Sequence, residues 1–289
     1  MSVGTSLVDV TVVATLAAAV GPRGRAIALA YYFVLLNFSR NIVGSSAAEG
    51  LIAAIGFAEV GLLFAAAAGL HALVRLLAPL PGGAAKAAAE RVSLGDFAGD
   101  LARPRSLIVL VVFLALAITF CAQESFLSAL ASSRELGPVS PFYIAYFAVI
   151  VSGRLSLARA IDRIGRGRVI VGSAALLAAT MIGLAHVTST VAFIALGALS
   201  GAGHFLLWPA LYAAVYAKIR GPGMVTALLG GVMAAAGFVA ELGLGGAADA
   251  IGYQGLYLAA AAFAVLALAL ALTQGRRLDL QAEAAAAEA

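Results

Sequence analysis

The sequence predicts an all-α membrane protein, a bundle of about nine spanning helices. Three observations predict it. Hydrophobic residues make up 63% of the 289-residue chain and charged residues only 11%, whereas a soluble domain is about half apolar and about a quarter charged. The apolar runs mostly approach or exceed the roughly 20 residues that a spanning helix needs. They are rich in alanine and leucine, and helices satisfy their own backbone polar groups, as hydrocarbon demands. The basic residues gather on alternate sides of successive runs, which is the positive-inside pattern.

The runs follow in order. Leu7–Val20 is short and holds Asp9. Ala26–Ala48 follows the Pro22–Arg25 turn and carries Asn37, Arg40 and Asn41 on one face, by their i, i+3 and i+4 spacing. Ile55–Leu77 is the third run. A polar stretch, Pro79–Arg105, then interrupts the pattern with Ala, Lys and Glu, and reads as a cytoplasmic linker with a short surface helix. Leu107–Ala131, Pro141–Ala160, Val169–His186, Val191–Ala217, Val225–Ala247 and Gly255–Leu272 complete the set. Asp279–Ala289 is a low-complexity Ala/Glu tail. The expected organisation is a three-span bundle over 1–78, a linker over 79–105, a six-helix bundle over 106–273 and a cytoplasmic tail over 274–289.

With the Pro22–Arg25 turn in the cytoplasm, all but two of the 18 basic residues fall on the inner side. Arg134 falls outside and Arg40 inside a span. The inner set includes the five arginines of Arg154–Val169, RLSLARAIDRIGRGRV. The net charge of +4 is thereby explained without a nucleic-acid partner. This topology puts the N-terminus outside and the C-terminus in the cytoplasm. No basic residue precedes the first apolar run, so that run does not read as a cleaved signal peptide.

Two segments repeat. GPRGRAIAL, an apolar span, AAEGLIAAIGF and a second span recur as GPGMVTALL, a span, GGAADAIGY and a span. Glu49 and Asp249 are the acids, and Gly56-Phe57 and Gly252-Tyr253 the closing pairs. Both copies start on the same side of the membrane, so the repeat is parallel, about an axis along the membrane normal. Spans one to three match seven to nine, and spans four to six have no partner.

Within the basic knot, ARAIDRIGRGR at Ala158–Arg168 resembles the cytoplasmic loop signature of the major facilitator superfamily, roughly Gly-x-Leu-Ala-Asp-Arg-x-Gly-Arg-Arg. Asp162, Arg163, Gly165 and Arg166 fall on its strongest positions. Ala158 stands where a glycine is usual and Gly167 where a basic residue is usual. PRGRAIAL is similar to the family's turn after its fourth helix. The resemblance covers Leu7 to Leu272 and corresponds to helices four to twelve of twelve, so the first three are expected to be missing. More distantly, the chain is similar to proton-driven sugar and drug efflux permeases. The resemblance implies alternating access in a multi-pass protein of the bacterial plasma (inner) membrane. It implies a cytoplasmic gate at Asp162, Arg163, Gly165 and Arg166. Asp162 can accept charge-assisted hydrogen bonds, and Gly165 permits a tight turn. The alternative is a loop that sets topology and touches lipid headgroups.

Ionisable residues inside spans are by default functional candidates. Glu124 and Gln123 lie in the fourth span, which resembles a helix lining the family's central cavity. Glu124 is read as a proton site, or alternatively as a carboxylate near the outer end paired with Arg134. His204, Trp208, Tyr212 and Tyr216 recur every four residues in the seventh span and share a face. They would stack on a sugar or aromatic solute, or alternatively form a packing stripe. Arg40 would bind an anionic solute group or pair with Glu59 or Glu241. The family's Gly-Pro-Gly-Gly antiporter pattern belongs in the second span, but NIVGSSAAEG there lacks the proline. Gly197 and Gly201 form a GxxxG, and Gly230, Gly231 and Gly237 stud the eighth span. Such glycines let helices approach closely.

No zinc helix, phosphate loop or serine elbow occurs. The lone Cys121 rules out an internal disulfide. The expected protein is therefore no enzyme, and it needs no cofactor or metal. Its partners are a small-molecule solute and the lipid bilayer. Its expected function is secondary active transport, as proton-coupled efflux. The alternative is a truncated, non-transporting remnant that serves as a membrane binding or assembly partner, with a second chain completing the bundle. A third reading places the true start upstream of Met1.

Overall fold

The computed structural model describes residues 93–157 and 164–279, together with scattered positions between 54 and 73. The chain divides into two compact units, Met1–Arg91 and Val92–Ala289, and the helices below all belong to the second. Among the described residues four helical stretches are long and apolar enough to cross a membrane: Pro104–Ser133, Arg166–His186, Thr190–Tyr216 and Gly223–Gln274.

The linker ends in a helix, α1 (Leu94–Ala102). Ser93 caps it, its Oγ accepting from the Asp96 N–H at 3.0 Å, which satisfies one of the donors a helix start leaves free. Asp96 also suits the positive end of the helix dipole. Arg103 takes an extended conformation before Pro104, as a residue preceding proline prefers. Pro104 then opens α2 (Pro104–Ser133), where its missing N–H is harmless. At 30 residues this helix runs about 45 Å and overshoots the hydrocarbon core. It ends in a Schellman turn: Glu135 N–H bonds Ser132 O at 3.3 Å and Leu136 N–H bonds Ala131 O at 3.0 Å. Glu135 pays the left-handed conformation with φ 54, a geometry usually left to glycine, and Leu136 is buried beneath it.

Helix α3 (Ser140–Leu157) matches the fifth expected span, whose last residues lie outside the described ones. Helix α4 (Arg166–His186) starts after Gly165, at φ 89. The seventh run is not one helix. It breaks into α5 (Thr190–His204) and α6 (Leu207–Tyr216). Pro209 is the physical reason, since it cannot supply the i→i−4 N–H to Phe205. Helix α7 (Pro222–Phe238) passes into a π-helical turn, Val239–Leu244, and then into α8 (Gly245–Asp279). Gly252 interrupts α8 at φ 69 and ψ 176, so the 52-residue apolar stretch is broken rather than one straight helix.

Packing is densest between α4 and α8, between α3 and α5, between α2 and α8 and between α4 and α5, followed by α2 and α7. The GxxxG sits on the α3–α5 contact: a Cβ on Gly197 would strike the Phe142 carbonyl, and one on Gly201 the Tyr146 carbonyl. Gly231 and Gly237 differ, because a Cβ on either meets nothing within 4 Å. They are not close-approach sites within this unit, contrary to the packing role expected for them. Gly56 and Gly252, the paired glycines of the repeat, both adopt positive φ, 94 and 69. The repeat thus extends to local backbone conformation.

Candidate functional site

The interior of the second unit holds a polar cluster where α2 meets α5. Gln123, Ser200 and His204 are each 0% exposed. Ser200 Oγ donates to Gln123 Oε1 at 2.6 Å. His204 Nδ1 lies 3.1 Å from the Ser200 carbonyl and 3.4 Å from its hydroxyl. A carbonyl only accepts, so Nδ1 carries the ring proton and Nε2 is a bare acceptor. Among the described residues neither His204 Nε2 nor Gln123 Nε2 has a hydrogen-bond partner. The cluster therefore presents an amide donor and an imidazole acceptor, both buried and both unused.

Aromatic rings surround it. The His204 ring lies nearly parallel to Trp208, with centroids 6.1 Å apart and planes at 16°. Phe120 meets His204 and Trp208 edge-on at 5.4 and 5.6 Å, and Tyr146 meets His204 at 5.6 Å. The four-residue periodicity thus does place His204, Trp208, Tyr212 and Tyr216 in one row. Its far end is tied into packing: Tyr212 abuts Phe113, and the Tyr216 hydroxyl hydrogen-bonds Thr226 on α7.

Glu124 follows Gln123 but points to the exposed side of α2. Arg134, its suggested partner, instead donates to the Leu184, Ala185 and Val187 carbonyls at 3.3, 2.8 and 2.8 Å. It closes the C-terminal end of α4, where the dipole favours a cation. Next to Glu124, Ser125 donates to Glu241 in the π turn at 3.3 Å.

Arg154 corrects the sequence reading most. Counted there with the loop arginines, it is buried within α3, 1% exposed, and its Nε donates to the Phe205 carbonyl at 2.8 Å. The sequence signal was Pro209, four residues beyond Phe205, which marks that carbonyl as lacking its helical donor. Of the gate loop, Gly165 and Arg166 are described. Gly165 makes the turn into α4, and Arg166 Nη1 lies 3.5 Å from the Ala213 carbonyl on α6. Asp162, Arg163, Asn37 and Arg40 lie outside the described residues.

A second ionic site went unnoticed in the sequence. Asp100, 1% exposed, accepts from Arg220 Nε at 2.8 Å and from its backbone N–H at 3.2 Å, and pairs with Arg103 at 3.3 Å. The Arg220 side-chain hydrogen bond, then its backbone N–H, hold the Asp100 carboxyl below the usual range. This pair docks α1 on the α6–α7 turn.

A bundle of long apolar helices with polar side chains enclosed between them indicates an integral, multi-pass membrane protein. The chain belongs to the Major Facilitator Superfamily, whose family model matches residues 1–241. The family expected from the Asp162 loop is therefore the family found. Its members are secondary transporters, not enzymes, and they bind small-molecule solutes within the membrane. Among solved structures the fold is similar to the E. coli fucose:proton symporter FucP, with a TM-score of 0.66 and 13% identity over 92% of this chain and 72% of that one. A structure of FucP in the outward conformation, described as a Major Facilitator Superfamily transporter, gives 0.66 and 14% over the same shares. At these identities the likeness is one of fold. No curated protein matches the chain.

Proposed function

We propose that the chain moves a small neutral, hydroxyl-bearing solute across the membrane in exchange for or together with protons. The observation that carries this reading is the pair of buried, unused groups, Gln123 Nε2 and His204 Nε2. Leaving a buried polar group unpaired is unfavourable by about 1–3 kcal/mol. A solute hydroxyl that accepts from the amide and donates to the imidazole would satisfy both. Trp208 and Phe120 flank the pair and offer ring faces for the C–H surface of a sugar-like ring. The fucose:proton symporter among the similar folds is consistent with this solute class.

Glu124 is the proposed proton carrier, as a carboxylate in a spanning helix and the next residue in sequence after Gln123. Asn37 and Arg40 are proposed as further solute contacts, and the Asp162–Arg166 loop as the cytoplasmic gate. Efflux is the proposed direction, on the sequence's similarity to efflux permeases. The test is flux of labelled monosaccharides in proteoliposomes under an imposed pH gradient. Saturable flux in the wild type that is lost in Gln123→Met supports the reading. Equal flux in the two proteins refutes the site. Absence of flux for every probe, with folded protein, favours the membrane binding-partner alternative.

A further inference from the structure

Arg154 has the largest of the fully buried side chains among the described residues. It is not placed there by charge pairing with an acid on its own helix: α3 contains no Asp or Glu. One of its partners is a backbone oxygen. Helix α5 ends at His204 and α6 begins at Leu207, and in a continuous helix the N–H of residue 209 would bond the Phe205 carbonyl. Residue 209 is proline and has no N–H. Arg154 Nε supplies the missing donor at 2.8 Å. Gly153 lets this happen, since a Cβ there would lie 2.6 Å from the Phe205 ring. A glycine, an arginine and a proline from two helices thus converge on one residue.

That residue separates the two site side chains. His204 precedes it and Trp208 follows it, and their rings face each other across the break. The angle at Phe205 therefore sets the direction of His204 Nε2 relative to the indole.

We propose that Arg154 is a positioning residue that fixes the α5–α6 break, and through it the relative orientation of His204 and Trp208. An arginine suits the task because its planar fork directs a rigid Nε–H while remaining charged. The functional importance of that orientation rests on the solute site proposed above, but the orientation itself is measurable without any solute.

Trp208 is the only tryptophan in the chain, so intrinsic fluorescence of the purified, solute-free protein in nanodiscs reports its environment directly. Arg154→Met is expected to red-shift Trp208 emission and increase its collisional quenching, while helicity by circular dichroism stays at the wild-type level. Arg154→Lys, which keeps a charge and a donor, moves the emission less. Pro209→Ala restores the helical N–H, so the effect of Arg154→Met is smaller in that background than beside proline; such non-additivity is the signature of two groups acting on one carbonyl. Unchanged emission in folded Arg154→Met, or effects of the two substitutions that simply add, overturns the proposal. Should Arg154→Met not fold, the Arg154→Lys and Pro209→Ala pair is read by the same criterion. Loss of monosaccharide flux plays no part in this readout: a failed flux assay would count against the solute site alone, and unaltered emission against Arg154 alone.

Discussion

Ser200 Oγ donates to Gln123 Oε1 at 2.6 Å, and this bond fixes which end of the buried amide remains to bind a further group. Because the serine proton is committed to the amide oxygen, the buried Gln123 nitrogen remains as an unused donor. His204 Nδ1 in turn donates to the Ser200 carbonyl 3.1 Å away, which leaves Nε2 as the acceptor. Two helices, α2 and α5, are joined by side chains whose remaining capacity matches a hydroxyl group.

Ser200→Ala removes the link and leaves Gln123 Oε1 buried without its donor. The expected loss is about 1–3 kcal/mol of stability, read as a lower midpoint of thermal unfolding in detergent. An unchanged midpoint would mean that the amide finds another partner at no cost.

The glycines divide into two kinds, and alanine substitution separates them. Gly201→Ala drives a methyl into the Tyr146 carbonyl and is expected to destabilise by about 1–3 kcal/mol, as overpacking does. Gly231→Ala meets open space and is expected to stabilise its helix by about 0.5–1 kcal/mol. Thermal unfolding of the two variants side by side should show shifts of opposite sign.

Gly252 has room for a side chain but not the backbone for one. A Cβ there meets nothing within 4 Å, yet φ is 69 and ψ 176, a region that glycine alone occupies readily. Gly252→Ala is expected to cost about 1–3 kcal/mol from strain alone. A neutral outcome in thermal unfolding would show that the turn relaxes to another geometry.

The docking of α1 depends on an ionised Asp100. Its carboxyl is held below the usual value of 3.8, first by the Arg220 side-chain hydrogen bond. A folded-state value below the unfolded one means that the contribution is fully present above the unfolded value and disappears as pH falls through the folded one. Hydrogen exchange of the α1 amides should therefore be constant from neutral pH down to about 3.8 once corrected for intrinsic rates, and accelerate below it. Asp100→Asn should show the faster exchange already at neutral pH.

Much of the architecture was legible in the sequence because membrane spans announce themselves by length and apolarity. The helices α2 and α4 lie where the fourth and sixth runs predict them, and the four-residue spacing of His204 and Trp208 puts their rings on one face. The Ile-Gly-aromatic repeat pairs Gly56 with Gly252, and the structure adds what the letters did not state, a positive φ at both. The partners across helices were not legible. Arg154 lies one turn from a helix end and next to a basic run, so counting charges assigns it to the loop. Pro209 reveals a carbonyl that needs a donor, but only the packing of α3 on α5 brings Arg154 to it. Ser200 reads as one more small residue until Gln123, far away in the chain, is placed against it. Asp100 and Arg220 are likewise separated by five helices of sequence, and no local pattern joins them.

The most direct test of the account is binding of neutral sugars to the purified protein in nanodiscs, followed by the emission of Trp208, the only tryptophan. A panel of neutral monosaccharides should include at least one that changes the emission saturably, and Gln123→Met and His204→Leu should each abolish that change while the protein stays folded. A saturable response that survives both substitutions would contradict the solute site assigned to Gln123 and His204.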